Sequence, residues 1–257
     1  MGTLHRCAGC LGALLLLAAC ASTPPSAPAG ASDVDPNDPL ASTKLMQQGQ
    51  ALVAEGKVAE AMEKYAAARK LHPKNPTVYN LVGMAELQRG NAAEALRSFN
   101  QALVLAPNYA DARNNRGAAY VQLKQYSMAE SDFLSALSDD TYANRGGVYF
   151  NLGSLYLANG NLAGAEENLQ RSTKAAGPVE GYYLLGQVEE KLGKVAPAET
   201  AYRGAVAHAP ERPDLIFALA LFLDAHGQKD EARTLYRKVI ELAPTSSQAQ
   251  QAHARLE

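Results

Sequence analysis

The chain has 257 residues and a formal net charge of −2, with 24 basic and 26 acidic side chains intermixed along it. That balance excludes the basic stripe of a nucleic-acid surface, and a hydrophobic content of 47% excludes a chain disordered throughout. Tryptophan is absent and phenylalanine numbers only 5, which suits closely packed Ala- and Leu-rich helices better than a β-sandwich.

Residues 1–19 read as an export signal: Arg6 gives a positive start, and Leu11 to Ala19 form a run too short for a bilayer, which takes about 20 helical residues. The run ends in Leu17-Ala18-Ala19-Cys20, which resembles the bacterial lipobox. The resemblance implies that Cys20 is lipidated and becomes the mature N-terminus, and this covalent lipid is the only cofactor-like group expected. Cys7 and Cys10 fall in the removed segment, so the mature chain has no pair of cysteines for a disulfide. Ala21 follows Cys20 where an inner-membrane lipoprotein would carry Asp, which implies sorting to the outer membrane. Residues 20–41 hold Pro24, Pro25, Pro28, Pro36 and Pro39 among small polar residues, and are expected to be an extended tether.

The rest of the chain repeats itself. Gly49, Gly83, Gly117, Gly153, Gly186 and Ala220 are spaced by 34, 34, 36, 33 and 34 residues. Twelve residues beyond each stands Ala61, Ala95, Ala129, Ala165, Ala198 or Ala232, and four further on Tyr65, Phe99, Phe133, Leu169, Tyr202 or Tyr236. Pro73, Pro107, Pro210 and Pro244 close four of the units, because proline offers no N–H and clashes with the preceding turn. Gly56, Gly90, Gly160, Gly193 and Gly227 mark turns within units. This pattern resembles the tetratricopeptide repeat (TPR) in period and in residue types. It implies an all-α, right-handed α-solenoid of six TPR helix-turn-helix repeats at 42–75, 76–109, 110–143, 146–179, 179–212 and 213–246. Residues 247–257 are expected to form a capping helix.

Catalytic motifs are missing. His72, His208, His226 and His253 lie near repeat ends or turns without metal-ligand spacing, and His5 is in the export signal. There is no P-loop, dinucleotide glycine motif or nucleophile elbow. Asp139-Asp140 fits a turn better than a pair of aimed carboxylates. The expectation is a binding protein, not an enzyme, with no metal, small-molecule substrate or nucleic acid.

By resemblance to the TPR family, the fifth, ninth and twelfth positions of each first helix line a concave groove. The candidate partner-binding residues are Met46, Gln50, Asn80, Met84, Leu87, Asn114, Val121, Phe150, Leu157, Tyr183, Gln187 and Phe217. Apolar and uncharged residues at such positions suit an apolar peptide or helix of another protein.

The junction of repeats three and four is the most individual stretch. Asn114-Asn115-Arg116-Gly117 opens repeat three, and Asp139, Tyr142, Arg145, Val148, Asn151, Leu152 and Gly153 run through a two-residue insertion. Together with the lipobox and six repeats, this resembles the type IV pilus pilotin family, whose members include PilF, PilW and Tgl, and the Ala-Pro repeat endings are nearest the Tgl type. The resemblance implies an outer-membrane lipoprotein whose TPR domain faces the periplasm. It would bind subunits of the secretin PilQ and promote their localisation and multimer assembly. General TPR scaffold lipoproteins of the NlpI kind, which dock envelope enzymes, and barrel-assembly subunits like BamD are the alternatives.

Overall fold

The structure is a computed structural model that describes residues 40–257. The export signal, the lipobox with Cys20 and nearly all of the tether lie outside the described residues. Thirteen α-helices and no strands occupy the described residues. The first of each pair are α1 (Ala41–Ala54), α3 (Pro76–Gln88), α5 (Ala110–Gln122), α7 (Arg145–Ala158), α9 (Val179–Lys191) and α11 (Pro213–Ala225). Their partners are α2 (Val58–Leu71), α4 (Ala92–Leu105), α6 (Tyr126–Leu137), α8 (Leu162–Lys174), α10 (Val195–His208) and α12 (Lys229–Leu242), and α13 (Ser247–Leu256) follows.

Each first helix ends in the same hydrogen-bonded turn. The N–H of Lys57 donates to Leu52 O at 2.8 Å and that of Gly56 to Val53 O at 3.0 Å, and the pattern recurs after α3, α5, α7, α9 and α11. Such a turn needs a left-handed residue, which glycine adopts without steric cost. Gly56 has φ 78° and Gly227 84°, while in the third repeat Lys124 takes the same place at φ 59°. The second helices stop just ahead of proline: α2, α4, α10 and α12 end two residues before Pro73, Pro107, Pro210 and Pro244.

Within a pair, the helices approach through a missing side chain. A Cβ on Gly49, Gly83, Gly117 or Gly186 would come within 3 Å of the ring of Tyr65, Phe99, Phe133 or Tyr202. Those four aromatic rings are almost fully buried, as are Leu169 and Tyr236 in the other two pairs. The aromatic fills the volume the glycine vacates, so interhelical distance and packing density are set together.

Contacts run from each helix to its chain neighbours. First helices also touch across repeats (α1 with α3, α3 with α5, α5 with α7, α7 with α9), whereas second helices make no comparable approach to one another among the described residues. The first helices therefore gather on the inner side of a curved stack. α13 packs on α12 and α11 and occupies the place that a further first helix would take.

Candidate partner-binding groove

The inner face is built from the first helices, and their close approach decides which side chains reach its surface. Of the twelve candidates, Met46, Asn80, Leu87, Asn114, Val121, Phe150 and Phe217 are buried. They pack between consecutive first helices or onto their own partner helix: Met46 sits with Leu81 and Ala85, Phe150 with Leu185 and Val188, and the Phe217 ring lies 5.8 Å from that of Tyr236. The sequence placed all twelve in the groove. The structure differs for these buried seven: five of them hold the fifth position, where the side chain packs into a seam between repeats or onto its own partner helix, and Leu87 and Val121 are buried at the twelfth. Gln50 is exposed, and Met84, Leu157, Tyr183 and Gln187 are partly exposed. These five are the candidates whose side chains can meet a partner.

Two polar seams cross the buried layer. Asn115 donates from Nδ2 to Asn80 Oδ1 at 3.0 Å, linking α5 to α3, and Asn151 donates to Asn114 Oδ1 at 2.9 Å, linking α7 to α5. A buried amide left unpaired would cost roughly 1–3 kcal/mol, so these bonds fix the register between repeats two, three and four. Asn151 and the half-buried Ser154 stand beside this seam on α7. The sequence reading places Asn151 in the junction pattern but not in the groove, because it sits one position beyond the fifth. Its pairing with Asn114, 37 residues earlier, could be seen only once the curvature of the stack was known.

The repeat three–four junction does its work without a proline. Arg145 donates from Nη1 to Leu137 O and Asp139 O, both at 2.9 Å, and so caps the last carbonyl of α6 and one in the turn beyond it. The Tyr142 hydroxyl donates to Asp111 Oδ1 at 2.7 Å, fastening the inserted residues to α5. Asp139 receives the Thr141 N–H and hydroxyl, which hold its carboxyl below the ordinary range. Asp139-Asp140 is thus a turn. Tyr149 lies between two cations, with the guanidinium carbons of Arg171 and Arg145 5.7 and 5.9 Å from its ring centre. The residues that individualise this segment in sequence are those that replace the usual helix stop.

Elsewhere the first helices are held by ionic and hydroxyl contacts. Arg116 grips Asp132 through two bonds of 2.7 Å, from Nε and Nη2, across the α5–α6 pair. The Tyr156 hydroxyl donates to Glu130, which with burial pushes its pKa up to about 12. On α9, Gln187 donates to the Tyr183 hydroxyl at 2.7 Å. Among the described residues, no three His, Cys, Asp or Glu side chains converge as metal ligands, and no helix is long and apolar enough to cross a membrane.

Helix pairs joined by a recurring turn, glycine-on-aromatic packing and an inner face of first helices define a protein-binding solenoid. The tetratricopeptide repeat family model matches residues 46–110, 83–146 and 150–213, and a second tetratricopeptide repeat model matches residues 191–256. The chain belongs to the tetratricopeptide repeat family. Among solved structures it is similar to PilF of Pseudomonas aeruginosa, with 19% identity and a TM-score of 0.70 over 83% of this chain and 96% of that one. It is likewise similar to PilW, a widely conserved type IV pilus biogenesis factor, with 21% identity and a TM-score of 0.72 over 82% of this chain and 98% of that one. YrrB, a TPR protein with an unusual peptide-binding site, aligns at 19% identity with a TM-score of 0.53 over 74% of this chain and 97% of that one. At these identities the likeness is one of fold.

Proposed function

We propose that this chain is an outer-membrane lipoprotein that acts as a pilotin. In this reading the inner face captures subunits of the type IV pilus secretin PilQ, and the lipid on Cys20 holds them at the outer membrane while they assemble. Pilus biogenesis, and with it twitching or social motility, would follow. The observation that carries the reading is the extent of the likeness to PilF and PilW, which spans 96% and 98% of those chains. It is supported by the junction from Asp139 to Gly153, which resembles the pilotin pattern, and by the lipobox. The work proposed needs a groove and an anchor, and no catalytic group.

The test is a blot for heat- and detergent-resistant secretin multimers in membranes from cells lacking the gene. The expected result is loss of multimers while monomer persists, with rescue by the wild-type chain but not by a Cys20→Ser chain. Normal multimers in the deletion strain would overturn the pilotin reading, and full rescue by Cys20→Ser would remove the anchor from it.

A further inference from the structure

The first helices change in charge along the solenoid at their second and twelfth positions. In the first four repeats, the second and twelfth positions of the first helices are Thr43, Thr77, Asp111 and Gly147, and Val53, Leu87, Val121 and Leu157. Their one carboxylate, Asp111, accepts a hydrogen bond from Tyr142. In repeats five and six the same positions are all acidic: Glu180 and Asp214, then Glu190 and Asp224.

Three of these four carboxylates face cations of the chain itself. Arg212 bridges Glu180 and Asp214 at 2.9 and 2.6 Å, and Arg255 meets Asp224 at 3.1 Å. Glu190 is different. It is exposed, it accepts a hydrogen bond from the Tyr202 hydroxyl at 2.9 Å, and no ion pair to it forms among the described residues. It shares a face of α9 with Tyr183 and Gln187 at helical spacing, and the exposed Lys191 follows it on the adjoining face. Burial, and after it the nearby carboxylates of Asp214 and Glu190, hold the Tyr183 hydroxyl above its ordinary pKa.

Resting on the groove reading above, we propose that the protein segment taken up by the inner face presents an uncharged stretch to the first four repeats. It would place a lysine or arginine at repeat five, with the cation against the Glu190 carboxylate and the partly exposed Tyr183 ring. A carboxylate and an aromatic face together suit a basic side chain. An acidic segment would meet net repulsion there.

The test uses the full chain carrying Cys20→Ser to keep it in solution, and fluorescence anisotropy with three labelled peptides. The peptides share one Leu-, Ala- and Gln-rich stretch and end in a Lys pair, a Gln pair or a Glu pair, each also made in reversed order. The expected result is a Lys-ended peptide bound about fivefold more tightly than its Gln-ended counterpart, the size of one exposed ion pair with a cation–π contact. The Glu-ended peptide should bind weakest, and the spread should narrow at high salt. Glu190→Gln should abolish the preference and Glu190→Lys reverse it, each in a variant whose helical melting is unchanged. Equal binding of all three peptides, lost on charging Met84 and Leu157, would overturn the charge inference and leave the groove standing. No binding, or binding that survives those changes, would overturn the groove and the inference together. A Glu190→Lys variant that binds all three peptides as the parent does would overturn the charge inference alone.

Discussion

The ring of Phe99 occupies the space into which any side chain on Gly83 would project. A Cβ built on Gly83 meets Phe99 Cε1 at 2.5 Å, well inside van der Waals contact. Neither helix of the pair can yield without shifting its other neighbours, so Gly83→Ala should destabilise the fold by about 1–3 kcal/mol. The sixth repeat bounds the effect, since Ala220 already faces Tyr236 there and the pair is fully buried. Chemical denaturation of the variant measures the loss. An unchanged midpoint would show that the ring moves aside freely.

Among the described residues Arg116 and Asp132 form the best-shielded ion pair across a helix pair, with side chains about one-quarter and one-tenth exposed. The guanidinium is held above its ordinary pKa, first by the hydrogen bond to Asp132. Arg116→Met leaves a nearly buried carboxylate without its partner and should cost about 2–3 kcal/mol, below the figure for full burial. Adding Asp132→Leu should recover part of the loss. A double-variant cycle with no coupling would refute the pairing.

Glu189 gives a pH signature. Its side chain is buried on α9, one carboxyl oxygen has no hydrogen-bond partner, and burial pushes its pKa above the ordinary 4.5. A carboxyl whose pKa is raised in the fold is favoured in its neutral form. The stability it contributes is present at low pH and lost as pH rises through its folded pKa. Glu189→Gln should therefore be more stable than the parent at neutral pH. The gap should close as pH falls toward and below 4.5, the ordinary carboxyl value. Thermal melts across that range check the sign, and a gap that widens on acidification would contradict it.

Partner capture should respond to side chains that reach the inner surface and not to those in the seams. Met84→Glu with Leu157→Glu, both partly exposed, should leave helical content and melting close to the parent and, if the chain is the proposed pilotin, abolish retention of secretin subunits in a pull-down. Phe150→Glu, at 5% exposure, should instead unfold the fourth and fifth repeats, as a charge placed among Leu185 and Val188 must. A folded double variant that still captures would place the groove elsewhere.

The period of small residues, aromatics and prolines was legible because each has a local steric meaning: Gly83 and Phe99 must touch wherever two helices cross closely. Lys124 was less legible, since a left-handed lysine leaves no mark in composition. The groove was legible only in part. Positions five, nine and twelve share a helical stripe, but whether a stripe residue is open or sealed depends on the distance to the next first helix. Phe150 and Phe217 close that distance, and Leu157 and Gln187 do not. The two-residue insertion could be counted from the sequence, whereas the capping of α6 by Arg145 depends on a side chain turning back toward Leu137, eight residues earlier.

Because each helix leans only on its nearest companions, the molecule has no central region whose loss dissolves everything at once. Amide exchange should rise from the middle outward, with α1 and α13 opening first and the α5–α7 segment last, where Arg116, Asn114 and Arg145 tie three helices together. A solenoid of this kind can open at either end while its middle repeats stay folded.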